Sequence, residues 1–153
     1  MLVKSIPNED EFHALINEGL PFMLSNRKTG VIVLDSIGAL FRFSDNEDAG
    51  FFYKRSMIFF KLAAKLKMMS DMFSVPIIII NQVTGTERGV IPALGLSRSS
   101  CVNTRFLLTR WEKNEEGKSM FLRFARVMLS SSMQEVTVQF DINRRGRQAI
   151  DCT

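Results

Sequence analysis

An α/β fold, with a mixed sheet that is parallel at its centre and antiparallel toward the carboxyl terminus, is predicted by three observations. Two short apolar runs, Val31-Ile-Val-Leu-Asp35-Ser36 and Ile77-Ile-Ile-Ile80-Asn81-Gln82, each close on polar residues and read as strands buried on both faces. Between them, Phe59, Leu62, Ala63, Leu66, Met69 and Phe73 recur at helical spacing. After them, residues 104–111 and 119–129 are strand-like and flank the turn signal Asn114-Glu-Glu-Gly117, which predicts a hairpin.

Composition bounds what such a fold can be. A chain of 153 residues, 46% hydrophobic and 24% charged, suits one globular domain over residues 1–153 with a buried core. No stretch approaches the roughly 20 apolar residues of a membrane span, and acids interrupt the first thirty residues where a signal peptide would be apolar. An intracellular, reducing setting is expected, because Cys101 and Cys152 are too few and too far apart for a disulfide framework. The formal charge of +4 is compatible with a polyanion partner but equally common in proteins that bind none.

Taken in order, residues 1–6 are apolar enough for a strand. Asn8 followed three positions later by Glu11 has capping-box chemistry and opens a helix with Phe12, Leu15 and Ile16 on one face. Pro21 should end or kink it, and Asn26-Arg-Lys-Thr-Gly30 is a turn into the first apolar strand. His13, the single histidine, has no second histidine or nucleophile in sequence reach and reads as a surface or helix-flank residue. Residues 43–50 read as a polar loop. In the helix that follows, Lys54, Lys61 and Lys65 share a solvated face, while its methionines and phenylalanines form a stripe suited to the core or to a partner groove. Pro76 marks the start of the second strand, and Thr84-Gly-Thr-Glu-Arg-Gly89 after it reads as a loop. Pro92 to Gly95 lead into a short helix reaching Asn103, and residues 135–142 alternate as a half-exposed strand.

Chemistry gathers at the ends of the two apolar strands. In an open parallel sheet, ligands bind at the carboxyl ends of strands, where Asp35, Ser36, Asn81 and Gln82 would sit. An aspartate and a hydroxyl there can hold Mg²⁺ and its waters beside a nucleotide phosphate, the Walker-B pattern. An aspartate closing a strand also serves simply as a turn former. Two amides on the neighbouring strand can read a terminal phosphate or orient a water, or can be satisfied by backbone alone.

The order of motifs carries a resemblance. Val33-Leu-Asp-Ser-Ile-Gly-Ala-Leu-Phe-Arg42, Arg55-Ser56 with its helix, Ile79-Ile-Asn-Gln-Val83, Pro92-Ala-Leu-Gly-Leu96, Cys101-Val-Asn-Thr-Arg105 and Leu108-Thr-Arg110 together resemble the ATPase core of eukaryotic RecA/RadA-type recombinase paralogues. Among those the sequence looks closest to the X-ray repair cross-complementing three type. The resemblance implies a RecA-like P-loop ATPase core using ATP and Mg²⁺, and a nuclear role in homologous recombination and double-strand-break repair. It also implies a complex with the C-type recombinase paralogue and the recombinase filament, on single-stranded or branched DNA. By residue, Asp35 matches the Mg²⁺ aspartate, with Ser36 beside it and Asn81 on the next strand. Gln82 matches the glutamine that senses the terminal phosphate and relays it onward. Residues 42–55 match the first DNA-facing loop and 84–94 the second, which makes Arg42, Arg55 and Arg88 the expected phosphate contacts. Phe51, Phe52 and Tyr53 have rings to stack on bases and equally to pack against their own helix.

Departures from the family pattern accompany the match. Nothing reads G-x-x-x-x-G-K-[ST], the backbone cradle and lysine for nucleotide phosphates, so the core is expected to lack the Walker A strand and loop, as an amino-terminally truncated domain would. In the family's sheet that strand lies between the one matching 77–82 and the one matching 104–111. The second DNA loop has Arg88 as its one basic residue, and no proline stands near 128–132, where the family often caps a neighbour's ATP. The expectation is a repair protein that acts by assembly, with its own ATP turnover an open question. A module that docks on another paralogue without binding nucleotide or DNA is the alternative.

Overall fold

The computed structural model describes residues 1–40, 49–86, 89–92, 101–115, 118–143 and 146–149. They fall into two compact units, Met1–Cys101 and Val102–Thr153.

The first unit opens without the expected strand. Residues 1–7 form no regular element, and Leu2 and Val3 stand 68% and 75% exposed. A strand needs a ladder partner, and none pairs with this segment among the described residues. The helix start is as expected: α1 (Glu9–Ala14) is capped by Asn8, whose Oδ1 accepts from the Glu11 amide at 2.9 Å. Asn8 Nδ2 in turn faces Glu11 Oε1 at 3.4 Å, and Glu9, Asp10 and Glu11 crowd the positive end of the helix dipole. His13 lies on the helix flank, 3.4 Å from Glu9.

Pro21 does not end the helix. A π-helical turn at Leu15–Gly19 precedes α2 (Leu20–Asn26), and Pro21 occupies the first turn of α2. The proline lacks an N–H and its ring crowds the carbonyl four residues back. Widening the preceding turn, with the Leu20 amide reaching Leu15 O, changes the register and lets the helix continue. Phe12, Ile16, Leu20 and Leu24 consequently form one buried stripe through all three segments.

That stripe packs in one core with β1 (Ile32–Asp35), α3 (Ile37–Leu40) and α4 (Ala49–Phe73). From α4 come Phe59, Leu62, Leu66 and Met69, all buried, as the helical spacing predicts. The helix begins at Ala49, so the last two residues of the expected 43–50 loop are helical, and residues 41–48 lie outside the described set. Lys61 is exposed as expected, but Lys65 is more than a solvated charge: its Nζ donates to Asn17 Oδ1 at 2.6 Å and ties α4 to the π-helical turn. The helix ends where Ser74 adopts φ 51° and the Val75 amide reaches back to Ser70 O at 3.1 Å, and Pro76 then prevents continuation.

Pro76 also feeds β2 (Ile77–Ile80), its carbonyl accepting from the Ile32 amide at 3.0 Å. The two strands run parallel in register from Ile32 opposite Ile77 to Asp35 opposite Ile80. Among the described residues, only one of their faces is covered. Ile32, Leu34, Ile77 and Ile79 face the helices, whereas Val33, Ile78 and Ile80 remain 51%, 51% and 42% exposed. The expectation of burial on both faces is corrected: an unbroken apolar run encodes no preference between faces, and these helices pack against one side only.

The glycine-bearing segment after Gln82 is a hairpin rather than a loop, β3 (Val83–Thr86) paired antiparallel with β4 (Gly89–Pro92). β-Branched Val83, Thr84, Thr86, Val90 and Ile91 outweigh the loop signal of the glycines. The helix expected from Pro92 toward Asn103 falls mainly on residues 93–100, outside the described set.

The second unit is a four-stranded antiparallel sheet, β5 (Thr104–Glu115), β6 (Lys118–Ser130), β7 (Thr137–Asn143) and β8 (Gly146–Ala149), in sequential order. The predicted β5–β6 hairpin is present and extends to Glu115 opposite Lys118, with a register shift at Arg105/Phe106. In β7, Phe140 is half-buried, while Val138 and Ile142 are 40% and 52% exposed, and Val136 just before the strand is 49% exposed. Parallel and antiparallel parts are both found, as separate sheets. β2 is bonded to β1 alone and β5 to β6 alone, so each is an edge strand among the described residues. No helix among them is long and apolar enough to cross a membrane. Cys101 is a half-buried thiol without a disulfide, and Cys152 lies outside the described set.

These packing differences predict measurable stability changes. Met69→Ala should cost about 2–5 kcal/mol in urea unfolding. Met68→Ala, one residue along on the exposed side, should change it by less than about 0.5 kcal/mol. Ser74→Gly relieves a left-handed serine and should raise stability by about 1 kcal/mol in the same measurement.

Candidate functional site

The parallel register creates the site. Because Asp35 lies opposite Ile80, both strands end at one edge, and Asp35-Ser36 and Asn81-Gln82 leave the sheet side by side. All four residues named from the sequence for nucleotide and Mg²⁺ binding are thus gathered at one place. Side-chain alternation puts Asp35 on the open face with Val33, Ile78 and Ile80, and it is exposed. Ser36 is half-buried, joined to Asp35 through a cis peptide bond, and Ile37 then turns into the core at 3% exposure.

Asn81 faces inward. Its Oδ1 is buried, and a Cβ added at Gly38 would stand 3.4 Å from that oxygen, so the first turn of α3 lies directly against the end of β2. Gly38 was not singled out from the sequence as a site residue. Its signal was a glycine placed inside a helix start, where glycine is otherwise costly, three residues after an acidic strand end. Gln82 is exposed and immediately precedes β3, so the residue at the strand tip is continuous with the hairpin.

With Asn81 turned inward, the donor set consists of hard oxygen atoms from the Asp35 carboxylate, the Ser36 hydroxyl and the Gln82 amide. It fits Mg²⁺, which keeps most of its waters and takes one or two carboxylates together with phosphate oxygens. It does not resemble an all-protein metal cage: among the described residues no three histidine, cysteine or acidic side chains cluster. An exposed carboxylate leaves room for the waters that mode requires.

The side chains expected at DNA lie outside the described set. Arg42 and Arg88 lie outside the described residues. Arg55 falls within α4, and its side chain, like those of Phe51, Phe52 and Tyr53, is outside the described set. The segment 84–94, expected to be the second to face DNA, coincides largely with the β3–β4 hairpin.

Comparison with known proteins decides the family. Residues 3–149 match the Rad51 family. The chain belongs to the Rad51 family. It is 32% identical over 154 positions to the DNA repair protein XRCC3 homolog of Arabidopsis thaliana, across 78% of this chain and 51% of that protein. It is 23% identical over 155 positions to DNA repair protein XRCC3 of Bos taurus, across 95% of this chain and 45% of that protein. With DNA repair protein XRCC3 of Mus musculus it shares 24% over 129 positions, 75% of this chain and 36% of that protein. The chain therefore spans about half the length or less of these relatives. This Rad51-family chain is a RecA-type recombinase paralogue similar to XRCC3, and its parallel pair and antiparallel sheet are the α/β parts of that fold.

The contact between Gly38 and Asn81 sets a size limit. Gly38→Ala should be tolerated, since 3.4 Å is ordinary contact and alanine favours the helix. Gly38→Leu should cost about 1–3 kcal/mol in urea unfolding by overpacking the end of β2.

Proposed function

We propose that this Rad51-family chain serves homologous recombination and double-strand-break repair in the nucleus. In this reading it contributes one half of a Mg²⁺–ATP site to a recombinase-paralogue complex. The observation that carries the reading is the register of β1 and β2, which aligns Asp35, Ser36, Asn81 and Gln82 at one sheet edge. Membership of the family over residues 3–149 gives that edge its context.

Each residue has a defined task in this account. Asp35 orients the water shell of Mg²⁺ through its exposed carboxylate, with the Ser36 hydroxyl beside it. The bound metal would supply charge neutralisation on the phosphate oxygens. Asn81, held against Gly38, fixes the end of β2 so that Gln82 is presented at a constant height. Gln82 then reads the terminal phosphate and passes its presence to the β3–β4 hairpin, which starts at the next residue. Arg42, Arg55 and Arg88 are the basic residues for single-stranded or branched DNA.

The 153 residues contain no G-x-x-x-x-G-K-[ST] sequence, so these residues by themselves provide the metal and sensing side of a phosphate site and not its backbone cradle. In this reading the chain works within an assembly, with a C-type recombinase paralogue and the recombinase filament as partners.

Titration of the complex with a fluorescent ATP analogue, with and without Mg²⁺, tests the reading. Wild type should bind more tightly with Mg²⁺, and Asp35→Ala should abolish that gain while leaving Mg²⁺-free binding unchanged. A Mg²⁺ gain that survives Asp35→Ala removes the residue from the site. DNA affinity should fall with salt, and Arg42→Ala with Arg55→Ala should weaken it and reduce the log–log salt slope by roughly two. Binding insensitive to both salt and these substitutions excludes those arginines.

A further inference from the structure

Two turns build the amino ends of β1 and β2. Residues 27–31 carry the chain from α2 into β1, and residues 74–76 carry it from α4 into β2. A cavity of about 510 Å³ is lined from both sides of this junction, within the roughly 300–1,000 Å³ typical of small-molecule sites. Its apolar surface comes from Leu24, Phe73 and Val75, of which Leu24 and Val75 are buried and Phe73 is half-buried. The cavity therefore sits at the end of the parallel pair opposite Asp35 and Gln82.

The polar side chains around it divide into two groups. Ser25 Oγ donates to Pro21 O at 3.0 Å, Asn26 Nδ2 to Phe22 O at 2.7 Å and Thr29 Oγ1 to Arg27 O at 3.3 Å. These neutral donors are committed to carbonyls at the end of α2 and in the turn that follows it. Arg27 and Lys28 are committed to nothing of the kind: both are exposed, and neither side chain has a hydrogen bond or ion pair among the described residues. No carboxylate lines the cavity. Two adjacent cations beside an apolar surface, with no acid to neutralise them, complement an anion that carries an apolar body. The carbonyl end of α2 limits how much charge that anion carries, because the negative end of a helix dipole opposes a multiply charged ligand.

We infer that this cavity binds an organic monocarboxylate. The guanidinium fork of Arg27 matches the geometry of a carboxylate and Lys28 adds a second charge beside it, while a flat or branched apolar body lies on Leu24, Phe73 and Val75. The two parts are both required: the cations select the charge, and the apolar surface supplies the contact area. The inference is independent of the nucleotide reading, since no residue of the Asp35–Gln82 edge lines this cavity.

Titration of the isotopically labelled full chain with 2-naphthoate, followed on backbone amide shifts, tests it. The amides of Leu24, Thr29 and Val75 should move together and saturate, while those of Asp35 and Gln82 stay in place. The neutral 2-naphthamide and the doubly charged 2-naphthyl phosphate should each bind about fivefold more weakly or worse. Arg27→Gln with Lys28→Gln should lower naphthoate affinity by about tenfold or more and leave naphthamide affinity and the circular dichroism spectrum unchanged, both positions being exposed turn residues. Shifts that do not saturate, equal affinity for the acid and the amide, or naphthoate binding that survives the double substitution would overturn the inference. Tighter binding of the phosphate than of the carboxylate would overturn it too, by assigning the cavity to a phosphorylated ligand.

Discussion

The parallel register of Ile32–Asp35 against Ile77–Ile80 is the constraint on which the functional site depends. A shift of one residue would turn Asp35 from the open face into the core, where an unpaired carboxylate is strongly disfavoured. Register is held from both ends. At the start, the Ile32 amide bonds to Pro76 O at 3.0 Å, and at the finish Asn81 rests against Gly38. Between them, Ile32, Leu34, Ile77 and Ile79 pack toward the helices.

The helices are fixed by equally specific local chemistry. Asn8 and Glu11 set where the first helix begins, and the π-helical turn at Leu15–Gly19 lets it pass Pro21 without losing the stripe from Phe12 to Leu24. Lys65 bonded to Asn17 then joins that stripe's helix to α4 at a polar point outside the core. The termination of α4 at Ser74 delivers Val75 and Pro76 directly into β2. Sequence, local geometry and packing therefore converge on one outcome, the placement of the two strand ends.

Much of this was legible in the sequence because it depends on short-range pattern. The Asn8 cap, the buried spacing of Phe59, Leu62, Leu66 and Met69, the two apolar strands and the β5–β6 hairpin all follow from periodicity and turn chemistry. What escaped depends on choices that periodicity does not encode. Four consecutive isoleucines in β2 carry no sign of which face is covered, and Pro21 carries no sign of whether a helix stops or changes register. The β3–β4 hairpin was hidden by glycines at positions 85 and 89, which read as loop although β-branched neighbours sustain the ladder. At the site, the four polar residues were visible as strand ends, whereas the contact of Gly38 with Asn81 was not, because it joins elements distant in sequence.

The common edge also explains why the family pattern is stronger here than any single motif. An aspartate ending a strand is ordinary, and so is an amide pair, but the register places them together and sets a hairpin immediately behind Gln82. The most direct test of that edge as a metal–nucleotide site is paramagnetic broadening by Mn²⁺ with ATP, read on backbone amide signals of the isotopically labelled chain in its complex. The account predicts selective loss of signal at Asp35, Ser36, Asn81 and Gln82, with the amide of Val75, before the opposite end of β2, retained. Broadening that is uniform, or centred away from the ends of β1 and β2, would contradict it.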